Sequence, residues 1–595
     1  MQPLKIFIKK YFSSFAYFYT ILRSRLVVLI VLSIVVGLLD SLGLTMFIPL
    51  LQLADGDGTV DLGNLNFIVT GLEQMGIVLT VGKSLLFLAT IFLLKGIVVY
   101  KVQVYNILTR QKLTKQVRMS IVERFPVFAY NQFVKTDIGK IQNVFLGEVS
   151  RLSDTFTNYI FMMQGAIMII VYMTFSFMVD WQFALLVCGG GLLSNLIFNK
   201  INKLTKEKSK NISTVNNAFS NVLIQYVHTF KYLKATGKIL DYRAKVEKAI
   251  DQVQFEFLQM GILNSKVSSF REPLLVLIVV LVIGVQITFF DTRIGAIIVS
   301  LLLFYRALTA VVSVQNNYNN TLANQGAIDN IQSFLRELKE HSEKVGKEAF
   351  KGLQTSIQVK DAVFKYGETV ILDHISMEIP KNQTVALVGE SGSGKTTLVN
   401  VIIKLLNLHS GTVYIDGTPL QNINQFSFQK KIGYISQEPT VFNDTIFNNI
   451  TFWAEPTAEN KLKFEQALQM ASLTEFVKGL KAQEQTLLGN NGINLSGGQR
   501  QRISIARELF KDVEILILDE ATSASDSETE NEIQQNIEAL HGNYTLIIIA
   551  HRLATIKNAD TIYLMSKGQI IGKGSFKELT LQSDQFKRMV ELQEI

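Results

Sequence analysis

Residues 389–396 read Gly-Glu-Ser-Gly-Ser-Gly-Lys-Thr, between a β-type run, Thr384-Val385-Ala386-Leu387-Val388, and a helix-compatible run, Thr397-Leu398-Val399-Asn400-Val401-Ile402-Ile403. Strand, glycine-rich loop and helix in that order is the setting in which G-x-x-x-x-G-K-T builds a phosphate site and not an ordinary turn. The glycines let backbone amides curve around a phosphate, Lys395 reaches the β- and γ-phosphates, and Thr396 offers its hydroxyl to magnesium. The phosphate-binding set is therefore Gly389, Ser391, Gly392, Gly394, Lys395, Thr396 and Thr397. This feature commits the last 250 or so residues to an α/β P-loop domain.

Two more strings extend the site. Glu514-Ile515-Leu516-Ile517-Leu518-Asp519-Glu520 is a buried-strand pattern ending on two carboxylates. Asp519 is placed to hold the magnesium environment and Glu520 to polarise an attacking water. In Leu495-Ser496-Gly497-Gly498-Gln499 the serine and the glycine amides make a compact anion-binding surface where a helix begins; alone, the string would read as a helix-starting turn.

With these elements in order, the chain resembles the ATP-binding-cassette superfamily, for which Leu495–Gln499 is the signature string. The resemblance implies that Ser496, Gly497, Gly498 and Gln499 contact nucleotide and that Tyr366 stacks on adenine. It further implies that Gln437 senses magnesium and the γ-phosphate side, and that His551 contacts the γ-phosphate. Glu520, His551 and Gln437 form the catalytic set; Thr396, Gln437 and Asp519 surround the metal. Two positions depart from the family pattern: Ser525 replaces a leucine but leaves Asp526 in place for nucleotide contact, and Asn490 stands where a glutamate is common.

Upstream the pattern changes. The chain is 48% hydrophobic, and its long apolar stretches concentrate in the first 320 residues. A spanning helix needs roughly 20 predominantly apolar residues, and six candidates emerge: 26–53, 76–106, 155–180, 182–200, 270–290 and 294–316. Residues 54–74 contain Asp55, Asp57, Asp61 and Glu73 but no Lys or Arg, whereas Lys101–Arg151 carries nine Lys/Arg against three acids. The latter region and the Lys-rich 200–271 therefore read as cytoplasmic, with outer turns near Asp180-Trp181 and Asp291–Arg293. Both cytoplasmic stretches read as helical extensions of the spans, and Phe219, Val222, Leu223, Tyr226 and Val227 call for a packing partner. An interfacial helix is expected at Leu4–Phe12.

The net charge of +8 is compatible with nucleic acid or with an anionic membrane surface; the apolar spans favour the membrane, and no nucleic-acid partner is expected. The lone cysteine, Cys188, excludes an intrachain disulfide. Asp40 stands in the middle of the first span, where a lipid-facing carboxylate is costly, so it faces either a substrate cavity or another helix. Arg306, in the last span, is a second candidate cavity charge, and Lys95 a third; nothing in the sequence connects either to Asp40.

The resemblance covers essentially the whole chain and implies a type IV ABC exporter. Its parts would be an N-terminal interfacial region (1–25), a six-helix transmembrane domain (26–320), a linker (321–350) and a nucleotide-binding domain (351–595). One phosphate loop and one signature string make a half-transporter, so a second copy of the chain would complete two ATP sites in a homodimer, with ATP and Mg2+ as cofactors. The expected function is ATP-driven export or flipping of an amphipathic substrate across the cytoplasmic membrane. The segments Leu38–Gly43 and Ile48–Leu51 look like those of exporters for lipid-linked oligosaccharides; drugs, other hydrophobic compounds and peptides stay open as cargo. A nucleotide-gated channel or regulatory membrane subunit is the non-transporter alternative, against which intact Glu520 and His551 stand.

Overall fold

The computed structural model describes residues 13–54, 66–74, 79–179, 181, 185, 207–208, 211–212, 214–216, 218–289, 294–324, 326–519, 535, 538–550 and 553–593. Outside them lie the expected interfacial helix at Leu4–Phe12, the acidic positions Asp55, Asp57 and Asp61, and the outer-turn residues Asp180 and Asp291–Arg293. The span 182–200 apart from Leu185, and with it Cys188, also lies outside. The chain divides into two compact units, Met1–Pro126 with Thr136–Glu340, and Val127–Lys135 with His341–Ile595.

The first unit is helical: α1 (Ser13–Leu22), α2 (Ser24–Thr45), α3 (Phe47–Ala54), α4 (Asn66–Gln74) and α5 (Val81–Arg124) precede a short α6 (Tyr130–Lys135) that belongs to the second unit. Then follow α7 (Ile138–Asn143), α8 (Val149–Val179), α9 (Phe230–Ala235), α10 (Ile239–Phe289), α11 (Ile294–Asn324) and α12 (Gly326–Glu340). Among the described residues three stretches are long and apolar enough to cross a membrane: Ser24–Leu53, Val81–Val127 and Ile138–Val179. The segments 270–289 and 294–316 lie on α10 and α11. At 1.5 Å per residue, the 44 residues of α5 extend about 66 Å, roughly twice a bilayer's hydrocarbon core. Such a helix projects well beyond the membrane.

Polarity in this unit is arranged for lipid. Leu86, Leu93 and Val31 point outward, while Ser33, Asp40, Ser41 and Thr45 are buried between helices. In hydrocarbon, side-chain polarity must be satisfied inside the bundle, so the soluble-protein arrangement inverts. Close helix approach uses small residues: a Cβ on Gly165 of α8 would come within 2.7 Å of Val314 on α11. Beyond the spans, Tyr226 stacks on Tyr242 of α10 with centroids 5.7 Å apart, while Leu223, Ile224 and Val227 stay exposed.

The second unit holds two sheets. The first comprises β1 (Ser356–Tyr366), β2 (Thr369–Pro380), β4 (Ser410–Ile415) and β5 (Thr418–Pro419), in the order β2-β1-β4-β5. The larger combines β3 (Thr384–Gly389), β6 (Ile432–Ile435), β7 (Ile515–Asp519), β8 (Thr545–Ile549), β9 (Thr561–Ser566) and β10 (Gln569–Gly574), in the order β10-β9-β3-β8-β7-β6. Every residue of β3, β7 and β8 is buried, as a parallel sheet covered on both faces requires. Its helices are α13 (Lys395–Ile402), α14 (Gln425–Gln429), α15 (Ile446–Thr451), α16 (Ala458–Met470), α17 (Thr474–Lys478), α18 (Gly497–Phe510), α19 (Phe576–Gln582) and α20 (Asp584–Gln593). The 127–135 segment is stitched to the residues after α12: Ala129 donates its amide to the His341 carbonyl at 2.9 Å and Glu343 to that of Val127 at 2.7 Å.

Candidate nucleotide-binding and hydrolysis site

Strand order brings the sequence motifs to one edge. The parallel pairings align Leu387 of β3 and Asp519 of β7 with Ile549 of β8, and Leu518 with Ile435 of β6. The chain thus leaves four neighbouring strands at Gly389, Ile435, Asp519 and Ile549 on the carboxyl edge of the sheet, where open α/β sheets bind ligands. Gln437 is exposed two residues past β6. Glu520, Asp526, Ser525 and His551 lie outside the described residues, though Glu520 directly follows β7 and His551 stands two residues after β8.

The loop after β3 is built around backbone that only glycine tolerates. Gly389 has φ +154°, and a Cβ there would approach the Met565 carbonyl oxygen to 2.1 Å. Gly394, at φ +101°, caps α13 in a left-handed conformation. The loop closes on Lys395, which is buried and whose ammonium donates to the carbonyls of Gly389 at 2.8 Å and Glu390 at 3.0 Å. The cation is thereby held inside the ring of loop amides, with Thr396 exposed beside it on the first turn of α13. This combination of a held cation, curved amides and a helix N-terminus suits a polyphosphate.

Asp519 is buried at the end of β7, and its Oδ2 accepts the Tyr434 hydroxyl at 2.8 Å. Burial pushes the Tyr434 phenol above its ordinary range, with the Asp519 hydrogen bond and charge adding to the effect, so it stays a donor at neutral pH. Tyr434 is a residue that motif reading passed over; the available signal was its place three residues before Gln437 on the strand adjoining β7. Tyr366 ends β1, with its ring edge-on to Phe364 at 4.9 Å and a large part of it exposed, as an adenine platform requires.

The signature string opens α18. Ser496 accepts the Gln499 amide at 3.2 Å and Gln499 Oε1 accepts the Ser496 amide at 2.9 Å, a complete capping box. Among the described residues this leaves the amides of Gly497 and Gly498 directed off the helix end. The helix-starting turn thus coexists with two amides free to meet an anion. Asn490 is exposed ahead of it, beside Asn491 at φ +52°. Further along α18, buried Arg507 donates to the carbonyls of Thr440 and Asn449, each at 2.6 Å, and to Asn449 Oδ1 at 3.0 Å, under the rings of Phe442 and Phe452. It joins the signature helix to the segment that follows Gln437, a link no motif announced.

In the helical unit, Asp40 is 3% exposed. Lys95 Nζ stands 2.5 Å from its Oδ1, and the Tyr172 hydroxyl donates to its Oδ2. The carboxylate therefore ties α2, α5 and α8 together. Arg306 is exposed on α11, within electrostatic range of Tyr172. Of the three candidate cavity charges, the structure engages Asp40 and Lys95 with each other in helix packing and leaves Arg306 accessible.

Comparison with known proteins accords with this geometry. Residues 26–311 match the family model of the ABC transporter transmembrane region, and residues 372–523 the family model described as ABC transporter. The chain is 31% identical over 484 residues to the heterocyst differentiation ATP-binding protein HepA of Nostoc sp., covering 80% of this chain and 79% of that one. It is 30% identical over 524 residues to the ATP-dependent lipid A-core flippase of Desulfotalea psychrophila, covering 85% and 89%. A solved bacterial Atm1-family ABC exporter with ATP bound has the same fold, with a TM-score of 0.79 at 20% identity over 97% of this chain and 99% of that one. The chain belongs to the ABC transporter family, with a membrane domain joined to an ATPase domain.

Proposed function

We propose that this ABC transporter flips or exports an anionic amphiphile, a lipid or lipid-linked glycan, from the cytoplasmic leaflet, and that it works as a homodimer. The reading is carried by likeness over four-fifths or more of the chain to proteins named lipid A-core flippases. The Lys/Arg excess of the cytoplasmic stretch Lys101–Arg151 suits a phosphate-bearing headgroup. Two observations support pairing of copies: each chain holds one phosphate loop and one signature string, and the aliphatic side chains Leu223, Ile224 and Val227 are exposed beyond the spans.

In the cycle we propose, ATP lies between the phosphate loop of one copy and the signature loop of the other. Lys395 neutralises the phosphates, Tyr366 stacks on the base, and the Gly497 and Gly498 amides close on the γ-phosphate side. Magnesium fits the residues present. Asp519 has spent Oδ2 on Tyr434 and retains Oδ1, Thr396 offers a hydroxyl, and no cluster of three His, Cys, Asp or Glu competes among the described residues. A site of one or two protein oxygens plus phosphates is the environment magnesium prefers, where it neutralises developing phosphate charge. Glu520 orients water, His551 and Gln437 report the γ-phosphate, and hydrolysis releases the two ATPase domains.

Reconstitution into sealed proteoliposomes with lipid-linked glycans, anionic lipids, neutral lipids and hydrophobic drugs tests the assignment. Anionic lipid substrates are expected to move with ATP and to stimulate hydrolysis. Movement of drugs with no response to any lipid would replace this reading by multidrug export, and hydrolysis without movement of any compound would favour a regulatory subunit.

A further inference from the structure

Within the second unit, away from the phosphate loop, lies a groove of about 640 Å³ that no step of ATP hydrolysis uses. Three pieces of chain remote in sequence make it: the residues following α12, the 127–135 segment, and the stretch from the end of α13 to the start of α14. That volume falls within the range of small-molecule sites.

Its walls carry an unbalanced charge. Lys404 and Lys344 line it together with His341, while Glu343 is the sole acid among the described residues. Glu343 is already occupied, accepting the Tyr130 amide at 3.3 Å and the Gln425 side-chain amide at 2.8 Å. Lys404 is 8% exposed and makes a single hydrogen bond among the described residues, to the Ile423 carbonyl at 2.6 Å. An ammonium has three N–H donors, so a buried one with one acceptor is under-compensated; burial lowers its pKa below the usual lysine range against the pull of Glu343. Gln425, 4% exposed, spends its NH2 on Glu343 and keeps Oε1 buried with no donor among the described residues. The terminal torsion of glutamine is broad, so that oxygen can turn to meet a ligand hydroxyl.

We propose that this groove binds a small hydroxylated organic anion, its charged group on Lys404 and Lys344 and a hydroxyl on Gln425 Oε1, and that occupancy tunes ATP hydrolysis. A phosphate or a carboxylate can supply the charge; the hydroxyl is common to both. The regulatory consequence follows from what the ligand touches. It would bridge the residues through which the chain leaves α12, the 127–135 segment and the helix that starts at Lys395, stiffening their connection. The inference stands apart from the identity of the cargo.

The test uses the purified full-length protein in nanodiscs with its nucleotide sites saturated by a non-hydrolysable Mg-ATP analogue, whose γ-phosphate position is filled, so that added phosphates cannot report on Lys395. Calorimetric titrations with inorganic phosphate, glycerol 3-phosphate, glucose 6-phosphate and gluconate compare charge alone, hydroxylated phosphate and hydroxylated carboxylate. At least one hydroxylated anion is expected to bind about tenfold tighter than inorganic phosphate. Lys404→Gln, which keeps a donor for Ile423, and Lys344→Glu, an exposed change with no packing cost, should each weaken it about tenfold or more. The same ligand should change steady-state ATPase at least about twofold in wild type and not in Lys344→Glu. Equal binding of phosphate and all organic anions, or wild-type affinity in Lys344→Glu, overturns the site; binding with an unaltered ATPase rate overturns its regulatory role.

Discussion

Lys395, Asp519 and Tyr434 are side chains fixed in place by partners of the protein's own. The ammonium of Lys395 is held by two loop carbonyls, at 2.8 and 3.0 Å, so little ordering remains to be done when an anion arrives. Tyr434 orients Asp519 by its hydroxyl. Tyr434→Phe removes one hydrogen bond worth about 1 kcal/mol and is expected to raise the Mg2+ concentration for half-maximal hydrolysis about fivefold, with nucleotide affinity in EDTA unchanged. Glu520→Gln is expected to retain ATP binding while lowering turnover about 100-fold or more. Near-normal hydrolysis by that purified variant would remove Glu520 from its water-positioning role. The phosphate-loop motif of Lys395 and Thr396 and the strand-end motif of Asp519 were each legible because each is local and carries its own geometry. Tyr434 was not, because its partner lies 85 residues away and only strand pairing joins them.

Elements are held together by contacts that motif reading does not reach. Arg507 anchors α18 to the segment after Gln437 through three hydrogen bonds and two aromatic faces. Arg507→Ala leaves those carbonyls and Asn449 buried without a donor, and an apparent destabilisation of about 3 kcal/mol is expected in thermal melts of the detergent-solubilised protein. Lysine cannot reproduce the fork, so Arg507→Lys should recover only part of it. Among the membrane helices, Asp40→Asn strands the Lys95 ammonium and is expected to cost about 3 kcal/mol or more, seen as lowered thermal stability. Replacing both, Asp40→Leu with Lys95→Leu, should restore most of that stability. If the double variant is stable yet no longer transports, the pair serves substrate as well as packing; if it transports normally, the pair is architectural.

At the scale of the whole molecule, the phosphate loop and the signature loop are expected to work across two copies. Lys395→Ala and Ser496→Arg should each abolish most ATPase activity alone. Coexpressed in equal amounts, they form mixed dimers in about half of random pairings, and each mixed dimer regains one site with an intact Lys395 facing an intact Ser496. Hydrolysis by the mixture is therefore expected to exceed that of either variant, and a mixture no more active than the singles would show that both loops act within one chain. By itself the sequence determined the membrane and ATPase halves, the P-loop and signature motifs and the family, because strand-loop-helix motifs and apolar runs are set by neighbours in the chain. Tertiary structure decided that Asp40 meets Lys95, 55 residues on, and Tyr172, 132 residues on. It also decided that Arg507 closes the signature helix onto its neighbour and that Lys404 lies under-compensated in a groove. Those pairings depend on which helices and strands pack side by side, and a carboxylate in an apolar run looks the same in sequence whether its counter-ion is on the next helix or absent.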